Sequence, residues 1–183
     1  MNPKKNILAI IGSASAHSAN LQVIEKIAAL AKDECELNIY QDLKTLPHFD
    51  PELSLANTPE SVVHFRKLIE EADGVIICTP EYVFSIPSGL KNALEWCVST
   101  TLFTDKSCGL ITASASGLKG HEELRLIMST LMAKFTDETT LLIQGVKGKF
   151  DEQGNITEPK TQQQLEYFSI HFRDLVNNKK PAE

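Results

Sequence analysis

Apolar residues follow two alternating patterns along the chain. Uninterrupted apolar runs and one half-buried alternation predict five strands, at residues 7–11, 35–40, 75–78, 107–113 and 139–144. Between them, apolar residues recur every three or four positions, which is typical of amphipathic helices. Helices are predicted over residues 18–32 and 58–72, around Leu90–Cys97 and Leu124–Met132, and at the end around Leu165–Val176.

This alternation of strand and helix predicts a fold class. Short connections and right-handed crossovers produce a parallel sheet with helices on both faces. Five strands commonly take the order 2-1-3-4-5, and ligands then bind beyond the carboxyl ends of strands one and three. We therefore predict an α/β doubly wound sandwich. The loops after strands one, three and four should lie together at one end of its sheet.

The loop after the first strand is rich in small polar residues. It offers hydroxyl or amide side chains at Ser13, Ser15, Ser18 and Asn20. Unpaired amides and the positive end of the helix dipole meet at such a strand-to-helix turn, so an anion such as phosphate is favoured there. The alternative is that Ser18 only caps its helix.

The two other loops suit a flat ligand. Pro80 fixes the backbone and the ring of Tyr82 can lie against a planar group, whereas Glu81 can also be a solvated acid or the partner of a basic group. The small residues of loop 114–120 let the backbone approach a ring closely. A phosphate and a planar ring together are the features of a mononucleotide. Three classes of protein stay open at this point: one that binds flavin mononucleotide, one that binds another nucleotide, and a response-regulator-like domain. The last needs an acid after strand one, where this chain has Gly12 and Ser13.

Three connecting segments are less regular. Residues 41–57 contain two prolines and no sustained period, which predicts a long loop at the edge of the site, either functional or a solvated connector. Thr58, Pro59 and Glu60 indicate a helix start with a capping threonine and proline at the first helical position. Residues 145–158 are predicted to form a glycine-containing loop or a short hairpin.

Composition narrows the class of protein. The chain has 183 residues, 42% of them hydrophobic and 23% charged, which is typical of one globular domain over residues 1–183. Its net charge of -6 and the lack of a basic stripe argue against a nucleic-acid partner. No apolar run approaches the ~20 residues of a membrane span, and no signal-peptide pattern is seen. We expect a cytoplasmic protein that does not enter a membrane.

Cysteine and histidine spacing indicates no metal or redox dithiol site. The four cysteines form no Cys-x-x-Cys pair, and the five histidines lack the spacing of metal ligands. We predict that the cysteines are small buried hydrophobic residues.

Three segments carry a family resemblance. They are Gly12-Ser13-x-x-x-x-Ser18-x-Asn20, then Pro80-Glu81-Tyr82 with the following Ser85-Ile86-Pro87 and Leu90-Lys91-Asn92-Ala93-Leu94-Glu95-Trp96, and finally loop 114–120. In this order they resemble the NAD(P)H-dependent FMN reductases, a family that includes azoreductase, quinone reductase and chromate reductase members. The resemblance covers the chain from about residue 5 to 145.

The resemblance implies a flavodoxin-like fold and an FMN cofactor. The phosphate would be held by Ser13, Ser15, Ser18, Ala19 and Asn20. The ribityl chain and the ring would be lined by Pro80, Glu81, Tyr82 and Val83, and the far side of the ring by Ser114, Ser116 and Gly117.

The implied activity is that of an oxidoreductase. NAD(P)H would reduce the flavin, and a small acceptor such as a flavin, a quinone or an azo compound would take the electrons. Because the cofactor carries this chemistry, we assign no catalytic side chain and no metal ligand. The resemblance also implies a homodimer or homotetramer with sites at subunit interfaces.

Each of the three loops departs from the family pattern. Ser15 stands where an arginine is usual, so a hydrogen bond is kept but a charge is lost. Val83 stands where an asparagine usually follows Pro-Glu-Tyr, which removes an amide from the edge of the ring, and Gly117 and Gly120 replace a pair of adjacent glycines. A hydrogen bond to a charged group is worth roughly 1.5–3 kcal/mol. We expect weaker FMN binding or a shifted flavin potential, and tighter binding in Val83→Asn.

Two further functions fit these departures. One is an electron carrier of flavodoxin type, although such carriers favour a threonine-rich first loop and a strongly acidic chain. The other is a non-enzymatic module that has lost the flavin.

Overall fold

A five-stranded parallel sheet forms the centre of the computed structural model, which describes residues 3–151 and 153–177. Its order is β2-β1-β3-β4-β5, so the predicted topology is confirmed. The strands are β1 (Lys5–Ile11), β2 (Cys35–Tyr40), β3 (Gly74–Thr79), β4 (Ser107–Ser114) and β5 (Thr140–Gln144). β3 is buried along its whole length, as its uninterrupted apolar run predicts, because helices cover both faces.

The described part of the chain contains six α-helices, five of them between the strands and the sixth after β5. They are α1 (Ala19–Ala31), α2 (Pro51–Leu55), α3 (Glu60–Glu71), α4 (Ser88–Glu95), α5 (Leu118–Thr130) and α6 (Pro159–Val176). α1 and α6 pack on one face of the sheet, and α3, α4 and α5 pack on the other. The α1 N-terminus therefore lies on the face opposite α5, at the carboxyl end of the sheet.

The connection formed by residues 41–57 is more ordered than its sequence predicts. It contains a 3₁₀ turn, Leu43–Thr45, and the short helix α2. The carbonyl of Pro47 accepts hydrogen bonds from the side chains of Asn92 (2.9 Å) and Trp96 (2.8 Å). These bonds tie the connection to the α4 side of the fold, and a one-dimensional period cannot reveal such long-range bonds.

The predicted start of α3 is wrong by one position. The helix begins at Glu60, with Pro59 at the N-cap and no side-chain cap. The Thr58 hydroxyl instead donates backwards to the carbonyl of Leu53 at 2.9 Å. The threonine therefore closes the end of α2 rather than opening α3.

The connection after β5 is a 3₁₀ turn, Val146–Gly148, followed by a short antiparallel contact between Phe150 and Ile156. This agrees with the predicted loop or short hairpin. The tail 178–183, for which the sequence predicts fraying, lies outside the described residues. All four cysteines are buried and unpaired, as predicted. In the part of the chain described, none of the helices has both the length and the apolarity needed to cross a membrane.

Candidate functional site

A cavity of about 500 Å³ opens beyond the carboxyl ends of β1, β3 and β4. This volume is within the usual range for sites that bind small molecules and cofactors. Its position matches the predicted end of the sheet. It is lined by Ser13, Ser15, His17, Ser18, Ala19, Asn20, Pro80, Tyr82, Ala113, Ser114, Ala115, Gly145, Val146 and Lys147.

The first wall of the cavity starts at Gly12, where β1 ends. Its amide donates to the carbonyl of Cys78 at 2.8 Å, which keeps the chain against β3. A Cβ at this position would lie 2.4 Å from the Thr79 hydroxyl oxygen, so only glycine permits this approach. The loop that follows is thereby directed across the end of the sheet.

Ser18 caps α1 and still has a hydroxyl hydrogen to donate. Its oxygen accepts from the amide of Leu21 at 3.2 Å, and the first turn of the helix contains no acidic residue. No hydrogen bond among the described residues uses the amides of Ala19 or Asn20. The capping role of Ser18 and an anion site are therefore compatible, because a hydroxyl can accept one hydrogen bond and donate another.

Asn20 uses its side chain inside the protein. The residue is 3% exposed, its Nδ2 donates to the carbonyl of Ala113 at 3.3 Å, and its Oδ1 accepts from the Cys78 thiol at 3.4 Å. Burial raises the pKa of that thiol, which keeps it protonated as a donor. The side chain of Asn20 thus fixes the start of α1 over β3 and β4, and the residue lines the cavity.

The second wall contains a tight turn with an unusual backbone. Val83 and Phe84 have φ values of 52° and 60°, and Tyr82 and Ser85 exchange two backbone hydrogen bonds of 2.9 and 3.1 Å. This geometry corresponds to a type I′ turn, which favours asparagine and glycine. Tyr82 lines the cavity, whereas the side chain of Val83 is 94% exposed and lies outside the lining.

Two carboxylates join the second loop to α5. The carboxylate of Glu81 accepts from the amides of Gly120 (2.8 Å) and Gly117 (3.3 Å), and Glu123 on α5 accepts from the amide of Ile86 (3.1 Å). Glu81 is thus neither a solvated acid nor the partner of a basic group. Its side chain holds the second and third loops in a fixed relation.

The third loop contributes only its first residues to the cavity. Ser114 and Ala115 line it, whereas Ser116 and Gly117 do not. Gly117 has φ 83°, and a Cβ there would lie 2.9 Å from Leu142. The turn into α5 therefore requires glycine at this position. The structure therefore brings together eight of the twelve predicted site residues, and Glu81, Val83, Ser116 and Gly117 lie outside the lining.

Sequence reasoning missed His17 and the rim at Gly145–Lys147. The second of these could have been anticipated, because the loop after β5 lies at the same sheet end as the three polar loops. By contrast, no residue of the 41–57 connection lines the cavity. Its predicted place at the edge of the site is not seen here, because its hydrogen bonds hold it against α4.

The amino-acid sequence is similar to those of known flavin and quinone reductases. The family model for NADPH-dependent FMN reductase matches residues 5–147. The chain is 31% identical to the NADH-dependent flavin reductase subunit 2 of Lactobacillus johnsonii, covering 94% of this chain and 93% of that protein. It is 30% identical to the NAD(P)H:quinone oxidoreductase of Solanum tuberosum, covering 89% of this chain and 88% of that protein.

The fold is similar to that of a solved flavoenzyme structure. The flavoenzyme NAD(P)H:(acceptor) oxidoreductase FerB from Paracoccus denitrificans superposes with a TM-score of 0.84 at 25% identity. The match covers 96% of this chain and 98% of that one. The similarity therefore extends over the whole sheet and all three polar loops.

Proposed function

The chain belongs to the NADPH-dependent FMN reductase family, and on this premise we propose that its cavity holds FMN for the reduction of a small oxidised acceptor by NAD(P)H. The flavodoxin-like fold and the family implied by the three sequence segments are confirmed. The observation that carries the proposal is the open set of donors at the start of α1, next to a cavity that no carboxylate of the described residues lines.

The residues around the cavity fit FMN. Ser13, Ser15 and Ser18 with the amides of Ala19 and Asn20 would hold the phosphate, since hydroxyls and helix N-terminal amides bind anions. Pro80 and Tyr82 would bound the ribityl chain and the ring on one side, and Ser114 on the other. Glu81, Val83, Ser116 and Gly117 lie outside the lining, so we propose that they shape the loops around the site without touching the cofactor.

Bound FMN would supply the hydride chemistry, taking a hydride from NAD(P)H and passing electrons to the acceptor. The protein's part is to bind, orient and limit access. Tyr82 is 43% exposed at the mouth, where its ring can lie against a flat donor or acceptor. Flavins and quinones, the substrates in the names of two relatives, are flat molecules of this kind, and we propose them as the acceptor class.

We also propose a homodimer or homotetramer. Exposed apolar side chains support it, since Val83 is 94% exposed and Phe84 is 77% exposed beside the cavity mouth. Clusters of this kind commonly mark interaction surfaces. We propose a cytoplasmic location, which four unpaired cysteines and a nicotinamide donor support.

The visible spectrum of the purified protein, followed under anaerobic addition of NADPH or NADH, tests the proposal. We expect a yellow protein, or one that takes up added FMN, whose flavin absorbance is bleached rapidly by one of the two donors. A flavin that stays oxidised would favour an electron carrier instead. A protein that binds no FMN would overturn both functions and favour a module without cofactor.

A further inference from the structure

The cavity rim opposite the first loop is the turn after β5. Gly145 has φ 63°, and its amide donates to the carbonyl of Ala115 at 3.1 Å. Val146 is 4% exposed and belongs to the core between the sheet, α1 and α6. These contacts fix the backbone of Lys147 beside the cavity, on the same face of the sheet as the α1 N-terminus.

The side chain of Lys147 is unusual among the cations of this region. It is exposed, lines the cavity, and takes part in no ion pair or hydrogen bond among the described residues. Lys149, two residues further, is instead paired with Glu158. No carboxylate among the described residues lines the cavity, so none of them neutralises the Lys147 ammonium group there.

The charges around the cavity point to an anionic ligand at this place. An unpaired lysine and an α1 N-terminus without a compensating acid face one cavity whose other polar lining consists largely of hydroxyl groups. Two positive features converging in this way stabilise an anion bearing more than one charge. Ser15, in the first loop, carries no charge, and its hydroxyl donates to the carbonyl of His17 at 3.4 Å.

We propose that Lys147 pairs with the phosphate of FMN and supplies the positive charge that the first loop lacks. This inference rests on the proposed function, because it assumes that FMN occupies the cavity. It assigns a cofactor-binding role to a residue outside the three polar loops. The β5 turn would thus close the phosphate site from the side opposite α1.

Binding of FMN and riboflavin by wild type and Lys147→Gln tests the proposal, because the two ligands differ only in the phosphate. Titrations followed by flavin fluorescence should show FMN binding about tenfold to a hundredfold weaker in the variant, which is the size expected for a hydrogen bond to a charged group. Riboflavin binding should change less than about twofold. Lys147→Arg, which keeps the charge, should restore most of the FMN affinity.

Salt provides a second readout. FMN affinity of the wild type should fall with rising ionic strength more steeply than that of Lys147→Gln, because one screened ion pair is missing in the variant. Lys44→Gln is the matched control: Lys44 is an exposed lysine outside the cavity lining, and its loss changes the net charge equally. It should leave both ligands and the salt dependence unchanged.

Three results would overturn the proposal. Equal losses for FMN and riboflavin would assign Lys147 to the ring or to loop stability. Unchanged FMN binding with a raised KM for NADPH would assign it to the nicotinamide donor. Wild-type protein that binds neither flavin would instead refute the proposed function itself.

Discussion

Residues 13–20 and residues 80–86 follow the neighbouring strands β1 and β3, and they satisfy their polar groups in different ways. In the first loop, Ser13 and Ser15 make only local hydrogen bonds of 3.2 and 3.4 Å, and no hydrogen bond among the described residues uses the amides of Ala19 or Asn20. The hydroxyl residues of this loop line the cavity. The second loop uses its polar groups internally, through the Tyr82–Ser85 exchange and the bonds to Glu81 and Glu123. One loop is open to a ligand, and the other is already closed on the protein.

This difference indicates that the first loop provides affinity for the phosphate, whereas the second loop positions the residues that bound the ring. Unsatisfied donors gain most from an anion, so the first loop should account for most of the free energy of binding the phosphate. The second loop holds two non-glycine residues, Val83 and Phe84, at positive φ, which costs free energy and persists only where surrounding contacts enforce it. Its role is to keep Pro80 and Tyr82 in place against α5.

The largest effect on FMN binding is expected from Ser18→Asp, which disturbs the anion site of the first loop without unfolding α1. Ser18→Asp keeps a good N-cap for α1 and puts a carboxylate beside the phosphate site. Repulsion between unit charges 4 Å apart near a protein surface is worth about 4 kcal/mol, or about a thousandfold in Kd. Titration with FMN should therefore show binding nearly abolished.

Ser18→Asn is the control for this change. Asparagine is an equally good N-cap and carries no charge, so FMN should bind within about tenfold of the wild-type Kd. Riboflavin should bind both variants similarly. FMN binding that is unchanged in Ser18→Asp would mean that the phosphate lies elsewhere.

A smaller effect is expected from Glu81→Gln in the second loop. The glutamine side chain can accept only one of the two amide hydrogen bonds of α5, so we expect a loss of about 1–3 kcal/mol in the free energy of unfolding. The freed loop should also alter the visible spectrum of bound FMN. Urea denaturation and absorbance measure the two effects.

Two neighbouring glutamates provide a parallel variant and a control for Glu81→Gln. Glu123→Gln weakens the bond from α5 to Ile86 and should change the spectrum in the same direction. Glu122→Gln lies one residue away and affects an exposed ion pair with Lys119, so it should leave the spectrum and the urea denaturation midpoint unchanged. If all three variants keep the wild-type spectrum, the carboxylates stabilise the fold without positioning the ring.

The same two loops show how far sequence reasoning reaches. The strands and helices, the polar loops and the capping role of Ser18 followed from periodicity and local residue type, because they depend on neighbours in the chain. The strand order followed from the topology that such an alternation of strand and helix commonly takes. The bonds of Glu81 to Gly120 and of Asn20 to Ala113 join residues 39 and 93 positions apart. No local pattern indicates which polar groups are used in that way, so predicted ligand contacts and structural bonds could not be separated.

The smallest effect concerns Val83, for which the sequence pattern predicted tighter FMN binding on change to asparagine. A β-branched residue at φ 52° is strained by about 1–2 kcal/mol, and asparagine tolerates this backbone better. Since the side chain is 94% exposed, Val83→Asn should raise the free energy of unfolding by about 1 kcal/mol and leave the Kd for FMN unchanged. Val63→Asn, at a half-exposed valine within helix α3, should bring no such gain. A tighter Kd in Val83→Asn would show that the ring reaches this turn, so the second loop would then contribute affinity as well as geometry.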